Sequence, residues 1–344
     1  MILIDALYIN NGGGKVLLDY LVETLKKKEI DAYYLFDLRI KGEYPEISVD
    51  KKNFLKASLF NRYNFYREFD KKFTKVFCFG NLPPFQKQKK IEVFTYFHQP
   101  LFISTPSDSS LILKFKIKLK TLFLQFFKKN TNFWLVQSKL IKDGLIKKYD
   151  ETAKKVQVLP FYPPLISSSK DLESKRKKNT FIYVSNVSSH KNHKRLIEAF
   201  CSFYDKHKKG ELTLTVHSKH TEIYNLINDK INNGYPISNL GFINREELRS
   251  HYLRSEYLIF PSLTESFGLG LIEAIECGCK VIGADLPYTY EVCKPSSIFN
   301  PFSVESIESA INESISKEVP ETEQKIYNQI DKLIEYLTDN EDQK

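Results

Sequence analysis

Short apolar segments alternate with amphipathic ones along the whole chain, and this alternation constrains the fold more than any other feature. The apolar runs predict buried strands, and the stretches between them repeat their apolar residues with the period of a helix. Such an order predicts α/β units built on mostly parallel sheets. The predicted strands are 2–9, 31–37, 75–79, 92–97, 133–137, 181–185, 211–216, 257–260 and 280–283. The predicted helices are 16–25, 193–206, 221–232, 245–253, 268–277, 303–316 and 321–338.

The alternation is interrupted once, near residue 160, by three prolines, a serine-rich stretch and the charged run 174–178. This composition is typical of a linker, and 344 residues are more than one hydrophobic core usually organises. We therefore predict two doubly wound halves, whose facing loops form a natural ligand cleft. The predicted parts are an N-terminal domain over 1–160, a linker over 161–178, a C-terminal domain over 179–320 and a last segment over 321–344.

Charge and cysteine content exclude some classes of protein and leave others open. The net charge of +9 suits nucleic acid, anionic lipid or a phosphorylated substrate without choosing among them. The five cysteines form no C-x-x-C pair, which argues against a disulfide framework and a zinc ribbon. The first residues lack the charged region of a signal peptide, and no apolar run approaches the roughly 20 residues that span a bilayer. We expect a cytoplasmic protein.

The most informative stretch is 260–278, with the sequence FPSLTESFGLGLIEAIECG. A strand is predicted to end at its start, and a helix to begin near Gly268 after a loop that holds Glu265. Gly268 and Gly270 let a ligand approach the backbone, and the first amides of a helix are free donors with partial positive charge. The stretch therefore predicts a diphosphate site, where Glu265 and Glu273 accept hydrogen bonds from sugar or ribose hydroxyls.

Two glutamates alone would indicate a helix cap and a solvated surface residue, but the glycines and flanking elements favour a site. With them, the stretch resembles the E-x7-E signature of the family 4 retaining glycosyltransferases, which have the GT-B fold. The similarity continues into 281–285 and includes 240–243, 133–138 and 158–160. In the first half it is otherwise limited to a glycine loop and His98.

This resemblance implies a GT-B architecture of two Rossmann-like doubly wound domains facing a central cleft. The N-terminal domain would lie on the acceptor side, the C-terminal domain would bind the nucleotide sugar, and the last helix would pack back on the N-terminal domain. Glu265 would bind donor-sugar hydroxyls near the reacting carbon, and Glu273 would hold the ribose hydroxyls. Phe242 and Ile243 would lie by the nucleotide base. The amides that would contact the sugar and diphosphate are those of Phe267, Gly268, Leu269 and Gly270.

A lysine in the loop after another predicted strand is a second candidate. The segment 183–192, YVSNVSSHKN, precedes a helix and places Lys191 where it can meet a phosphate as a point charge. Such a lysine alone is more often solvated, but the resemblance implies a phosphate-binding role. The family commonly adds an arginine just after the strand, where this chain has Asn186. Either the diphosphate has fewer cationic contacts, or Lys194 or Arg195 substitutes.

Two further candidates lie in the first half. The segment 10–15, NNGGGK, is a glycine loop before a helix, which suits phosphate, although a plain strand–helix turn fits equally well. It lacks the spacing of a dinucleotide fingerprint. His98 follows an apolar strand and precedes a proline. The resemblance implies that Gly12, Gly13 and Gly14 face the donor phosphates and the acceptor, and that His98 contacts a donor-sugar hydroxyl.

The segment 111–129 combines lysines with leucine, isoleucine and phenylalanine. Lysine alternation over 113–120 also fits a strand, but the length favours a helix. We expect its apolar face to pack on the core and its lysines to be solvated; peripheral contact with the inner face of an anionic membrane is the alternative. The apolar positions are 112, 115, 119, 122, 123 and 126, and the lysines are Lys114, Lys116, Lys118, Lys120, Lys128 and Lys129.

The combined prediction is a retaining hexosyltransferase that uses a UDP- or GDP-sugar and a glycan or lipid-linked acceptor, in cell-surface polysaccharide synthesis. No apolar-flanked Asp-x-Asp and no H-E-x-x-H motif is found, so we expect no metal and no cofactor. Lys191 and a helix amino terminus would stabilise the leaving diphosphate instead. The alternatives are a nucleotide-sugar epimerase or phosphorylase of the same fold and an inactive sugar-nucleotide-binding protein. Dispersed basic residues argue against nucleic acid.

Overall fold

The alternation of strands and helices produces two separate parallel sheets, one in each half of the chain. The computed structural model describes residues 1–69, 73–88, 90–103, 111–165 and 176–339. Its two units are Met1–Pro163 with Tyr327–Lys344, and Pro164–Ile326. The chain passes from one unit to the other between Pro163 and Pro164, and most of the linker predicted at 161–178 lies outside the described residues.

The first unit contains a seven-stranded sheet of order β3-β2-β1-β4-β5-β6-β7, and every pair of neighbours is parallel. The two central strands are buried at every position, as expected where helices cover both faces of a parallel sheet. The elements are β1 (Ile2–Asp5), α1 (Gly12–Lys27), β2 (Ala32–Asp37), β3 (Lys52–Leu55), α2 (Leu59–Phe69), β4 (Lys75–Cys78), β5 (Glu92–Phe97), α3 (Leu111–Phe127), β6 (Phe133–Val136), α4 (Lys139–Tyr149) and β7 (Val156–Val158).

The second unit contains a six-stranded parallel sheet of order β10-β9-β8-β11-β12-β14. A two-stranded antiparallel ribbon of β13 and β15 lies outside it. The elements are β8 (Lys177–Tyr183), α5 (His193–His207), β9 (Glu211–Leu214), α6 (Thr221–Asn232), β10 (Ile237–Asn239), α7 (Arg245–Arg254), β11 (Ser255–Phe260), α8 (Leu269–Glu276), β12 (Lys280–Ala284), α9 (Pro287–Val292), β13 (Cys293–Lys294), β14 (Ser297–Phe299), α10 (Val304–Ser316) and β15 (Glu323–Gln324).

The last helix, α11 (Ile330–Thr338), belongs to the first unit. The backbone N–H of Gln329 donates to the carbonyl of Pro160 at 2.8 Å, and the Asn328 amide donates to the Tyr20 hydroxyl at 2.9 Å. The prediction of one helix over 321–338 is wrong in its first part. Residues 323–324 pair with β13 instead, because the free edge of that strand offers backbone partners that helical periodicity does not reveal.

Helix α3 confirms the helix predicted near 111–129 but contradicts its expected orientation. Five of the six positions of the predicted core face are more than half exposed: Ile112, Phe115, Leu119, Leu122 and Phe126. The helix packs on the first unit through its opposite side, where Ile117 and Leu124 are buried. Leu124 belongs to a core cluster with Trp134 and Tyr149. The larger apolar face therefore points outward.

Candidate functional site

The loops after β8 and β11 mark the point where the strand order of the second sheet reverses. These strands are neighbours, with Ile182 opposite Leu258, and the sheet grows outward from them in both directions. Ligands of doubly wound sheets bind in the crevice outside the carboxyl ends of such strands. The two loops, 184–192 and 261–268, hold the main candidates of the second half.

Lys191 and Glu265, predicted from different segments, form an ion pair between these loops. The lysine Nζ lies 2.5 Å from Oε1 of the carboxylate, although the residues are 74 positions apart in the chain. Both side chains are partly buried, with 20% of the Lys191 side chain and 13% of the Glu265 side chain exposed. The sheet therefore brings together a cation and a carboxylate at the edge where a ligand is expected.

Neighbouring residues fix the backbone of this pair. Asn192 has a φ of 60°, a left-handed conformation that asparagine tolerates. Its side-chain amide donates to the carbonyl oxygens of Pro261 at 3.1 Å and Pro301 at 2.7 Å. The Tyr183 hydroxyl donates to the carbonyl of Lys191 at 2.9 Å. The Lys191 loop is thus tied to the end of β11, a role for Asn192 that the sequence analysis missed.

The loop of Glu265 leads directly into the start of α8, at Gly268. Gly268 has a φ of 69°, and a Cβ there would lie 2.9 Å from Cδ1 of Leu271. The positive φ favours glycine, and any larger residue would also have to displace the Leu271 side chain. The amides of Leu269 and Gly270 stand in the first turn, where no intrahelical acceptor exists and the helix dipole is positive. The predicted anion-binding helix start thus follows Glu265 by a few residues.

Three other residues of this region were predicted to contact the donor: Gly270, Phe267 and Asn186. A Cβ at Gly270 would meet Phe260 and the Tyr252 hydroxyl at 3.5 Å, so this glycine allows close packing of α8 on protein. The side chain of Phe267 is buried, which leaves only its backbone for a ligand. Asn186 is exposed in the loop after β8, where its carbonyl accepts a hydrogen bond from the Ser185 hydroxyl.

Glu273 lies within α8 and pairs with Arg245 at the start of α7. The guanidinium Nη1 is 2.6 Å from Oε1 of the carboxylate, which is only 6% exposed. Burial raises the pKa of Glu273 to about 7, against the lowering effect of Arg245. Arg245 was not among the residues predicted from the sequence. The capping box of Asn244 and Glu247 locates the start of α7 in the sequence, but it does not reveal this pairing.

A pocket of about 270 Å³ opens beside Phe242, whose side chain is 84% exposed. Asn239 shapes it by accepting hydrogen bonds from the amides of Val216 and Gly241 at 2.8 and 3.3 Å. Ile243 is partly exposed next to Phe242 and is not among the lining residues. His217 and Ser218 were missed, although their place after β9 at the carboxyl edge is a usable signal. The lining residues are His217, Ser218, Tyr224, Asn239, Leu240, Gly241 and Phe242.

In the first unit, the structure brings His98 against the glycine loop. Helix α1 begins at Gly12, which has a φ of 63°. A Cβ at Gly13 would meet nothing within 4 Å, and one at Gly14 would lie 3.7 Å from Nε2 of His98. The Asn81 carboxamide oxygen accepts from the His98 backbone at 2.7 Å, and its nitrogen lies 3.3 Å from Nε2. Burial lowers the pKa of His98 to about 4, so the ring is neutral near pH 7.

The two proposed substitutes for the family's arginine have different partners. Lys194 forms an exposed ion pair with Glu222 of α6 at 2.5 Å. Arg195 donates to the side-chain oxygen of Asn192 at 2.9 Å and so lies beside the loop of Lys191. Arg195 is therefore the better placed of the two to add positive potential near Lys191.

Within the described part of the chain, no group of three or more His, Cys, Asp or Glu residues could hold a metal ion. The five cysteines are free and buried. Among the helices of the same described residues, none combines the length and the apolar character that crossing a bilayer requires.

Comparison with known proteins relates the second unit to enzymes that transfer sugars. Residues 167–333, which include the loops of Lys191 and Glu265, match the family model described as glycosyl transferases group 1. The chain is 26% identical over 182 residues to the O-antigen chain mannosyltransferase RfbU of Salmonella typhimurium. That similarity covers 52% of this chain and 49% of RfbU, so it spans about half of the relative's length.

Solved structures show the fold. Sucrose-phosphate synthase from Thermosynechococcus elongatus superposes with a TM-score of 0.71 at 15% identity, over 92% of this chain and 89% of that chain. HepE of Anabaena, solved in complex with UDP-glucose, gives a TM-score of 0.65 at 14% identity over the same shares. The predicted GT-B fold is confirmed by the two parallel-sheet units and these likenesses. Together with the family match, they support a glycosyltransferase.

Proposed function

We propose that this chain is a retaining glycosyltransferase that moves a hexose from a nucleoside-diphosphate sugar to a glycan or lipid-linked acceptor. The observation that carries the proposal is the contact of Lys191 with Glu265 at the carboxyl edge of the second sheet, just before the amino end of α8. A cation and helix amides suit a diphosphate, and a carboxylate suits sugar hydroxyls. Polysaccharide synthesis is the proposed setting, because RfbU is an O-antigen chain mannosyltransferase.

The chemistry follows from where charge develops. When the bond from the sugar to the diphosphate breaks, negative charge grows on the leaving oxygen. Lys191 and the first amides of α8 oppose it with positive potential that is already in place. Before the donor binds, Glu265 forms an ion pair with Lys191. Once the donor is bound, Glu265 accepts hydrogen bonds from sugar hydroxyls. Removing one such preorganised donor typically lowers the rate about a hundredfold to a thousandfold.

The remaining groups of the second unit suit the nucleoside. Glu273 is held by Arg245 with one carboxylate oxygen engaged, so its other oxygen can accept from a ribose hydroxyl. The pocket beside Phe242 offers an exposed aromatic ring on which a base can stack. We assign the base to this pocket. Transfer assays with UDP- and GDP-hexoses decide whether uracil or guanine fits.

The first unit is assigned to the acceptor and to one sugar contact. The neutral ring of His98 can donate or accept a hydrogen bond without adding charge near a phosphate. Gly13 leaves open backbone at the start of α1, which a ligand can approach closely. No step in this scheme assigns a metal ion, since Lys191 and the helix amides supply the positive potential that the leaving group requires.

The proposal is tested by transfer assays with UDP-, GDP- and ADP-hexoses, lipid-linked glycan acceptors and a chelator. Mass spectrometry identifies the product, and nuclear magnetic resonance assigns its anomeric configuration. Acceptor-dependent transfer with retention, unchanged by the chelator and lost in Glu265→Gln, supports the proposal. Epimerised donor or phosphate-dependent cleavage indicates the alternative enzymes of this fold. Donor binding without turnover on any acceptor indicates an inactive binding protein.

A further inference from the structure

Helix α3 presents an unusual amount of apolar surface to solvent. Six of its large side chains are exposed by half or more: Leu111 84%, Ile112 69%, Phe115 63%, Leu119 52%, Leu122 58% and Phe126 70%. Single exposed leucines are ordinary in proteins, but a contiguous group of this size marks a surface that binds something. We call these six residues the α3 stripe.

The stripe is continuous around the helix axis and is bordered by positive charge. At about 100° of rotation per residue, the six positions fall within an arc of about 100°. Lys116 and Lys120 lie along one edge of this arc, and Lys114 and Lys118 lie along the other. Lys116, Lys118 and Lys120 are exposed, and α3 contains no acidic residue.

The helix is fixed to the first unit by its other side, so the stripe is not needed for packing. Leu124 is buried in the core cluster that contains Trp134. The rings of Phe123 and Phe127 each lie 5.1 Å from the ring of Phe85 in an edge-on arrangement. These contacts hold α3 in one orientation, with the stripe outward.

We propose that the α3 stripe binds the surface of a membrane that contains anionic lipids. Leucine, isoleucine and phenylalanine would enter the boundary between headgroups and acyl chains, and the bordering lysines would extend to the lipid phosphates. This arrangement is the one expected of a helix that lies in the plane of an interface. The proposal goes beyond sugar transfer and does not depend on it.

Charge favours lipid over a second copy of this chain. In a symmetric dimer through the stripe, the lysine borders of one copy would face lysine borders of the other, and α3 offers no acid to compensate them. An anionic bilayer supplies compensating charge along both borders. Each lysine near such a surface contributes to binding, and the attraction is screened by salt.

Vesicle flotation with the full chain tests the proposal. The vesicles are phosphatidylcholine alone and an equal mixture of phosphatidylcholine and phosphatidylglycerol. We expect binding to the mixed vesicles, strong dependence on salt and little binding to the neutral ones. The triple variant Phe115→Ser, Leu122→Ser, Phe126→Ser should lose at least about tenfold in partitioning. Val49→Ser with Phe302→Ser changes exposed apolar residues elsewhere on the chain; this control should bind like wild type.

Charge reversal separates the lysines from the apolar stripe. Lys116→Glu with Lys120→Glu should lower partitioning into the mixed vesicles about tenfold or more, whereas Lys178→Glu with Lys209→Glu should not. Absence of wild-type binding, or equal binding to neutral and anionic vesicles, overturns the proposal. It is also overturned if, without lipid, light scattering finds a wild-type dimer that the triple variant converts to a monomer. Unchanged melting temperatures show that the variants are folded.

Discussion

Separate and combined removal of Lys191 and Glu265 distinguishes their structural role from their proposed chemical one. The pair is 2.5 Å long and about four-fifths buried. Breaking it should therefore cost an unfolding free energy between that of a surface ion pair and that of a buried one. We expect Lys191→Ala to lower the free energy of unfolding by about 2 kcal/mol, because it leaves a carboxylate unpaired. The double variant Lys191→Ala, Glu265→Gln should be more stable, by about 1–2 kcal/mol, than the sum of the two single losses predicts, and this difference is the coupling energy of the pair.

The rate of sugar transfer should not recover. In the proposed mechanism each group has its own contact with the donor, so Lys191→Ala, Glu265→Gln and the double variant should all be slower by about a hundredfold or more. Chemical denaturation and initial-rate assays on the same preparations measure both quantities. Lys177→Ala is the control, because its pair with Glu211 is also 2.5 Å long but lies on the surface. Recovery of the rate together with stability would refute separate donor contacts and reduce the pair to a structural contact.

Glu273, Gly268 and the donor site each give one further measurable expectation. The pKa of Glu273 is about 7 in the folded chain and about 4.5 in the unfolded chain. The free energy of unfolding should therefore fall by about 3 kcal/mol as pH rises through this window. Glu273→Gln should remove that slope from denaturation curves. Gly268→Ala forces a left-handed alanine against Leu271 and should cost about 1–3 kcal/mol, whereas Gly13→Ala, with open space at its Cβ, should be measurably milder by thermal denaturation. A chelator should leave donor binding unchanged in titration calorimetry, and loss of binding would contradict a metal-independent site.

The sequence predicted the central strands of both sheets and missed the edge strands. Most of the predicted strands are largely apolar, as burial on both faces requires. The missed strands β3, β7, β10 and β14 are the two ends of each sheet. They are short, and most of their positions are only partly buried or exposed, so no long apolar run marks them. Their place is set by backbone pairing with a neighbour, which a local pattern does not encode.

The candidate site was predictable to the extent that it follows strand ends. Lys191 and Glu265 each follow a strand of the second half, and adjacent parallel strands bring such loops together. Arg245 and Asn192 carry no comparable local signal. Arg245 acts through a residue of another helix, and Asn192 through carbonyl groups of two distant loops. Contacts of this kind depend on how helices pack, which periodicity leaves open.

Helix α3 also shows that periodicity does not determine how a helix packs. Its period correctly predicts a helix with an apolar face, but the period does not state what that face contacts. The structure places the smaller set of Ile117 and Leu124 inward and the larger set outward. A pattern typical of core packing thus became the observation from which a membrane surface is inferred.

Whether Lys191 holds the diphosphate can be measured by calorimetric titration of wild type and Lys191→Ala with UDP- and GDP-hexoses, and with the bare nucleosides. If Lys191 and the start of α8 hold the diphosphate, one donor binds wild type, and Lys191→Ala weakens that donor about tenfold to a hundredfold. Binding of the matching nucleoside should hardly change. Equal donor affinity in the two proteins, or no binding of any nucleotide sugar, would contradict the account.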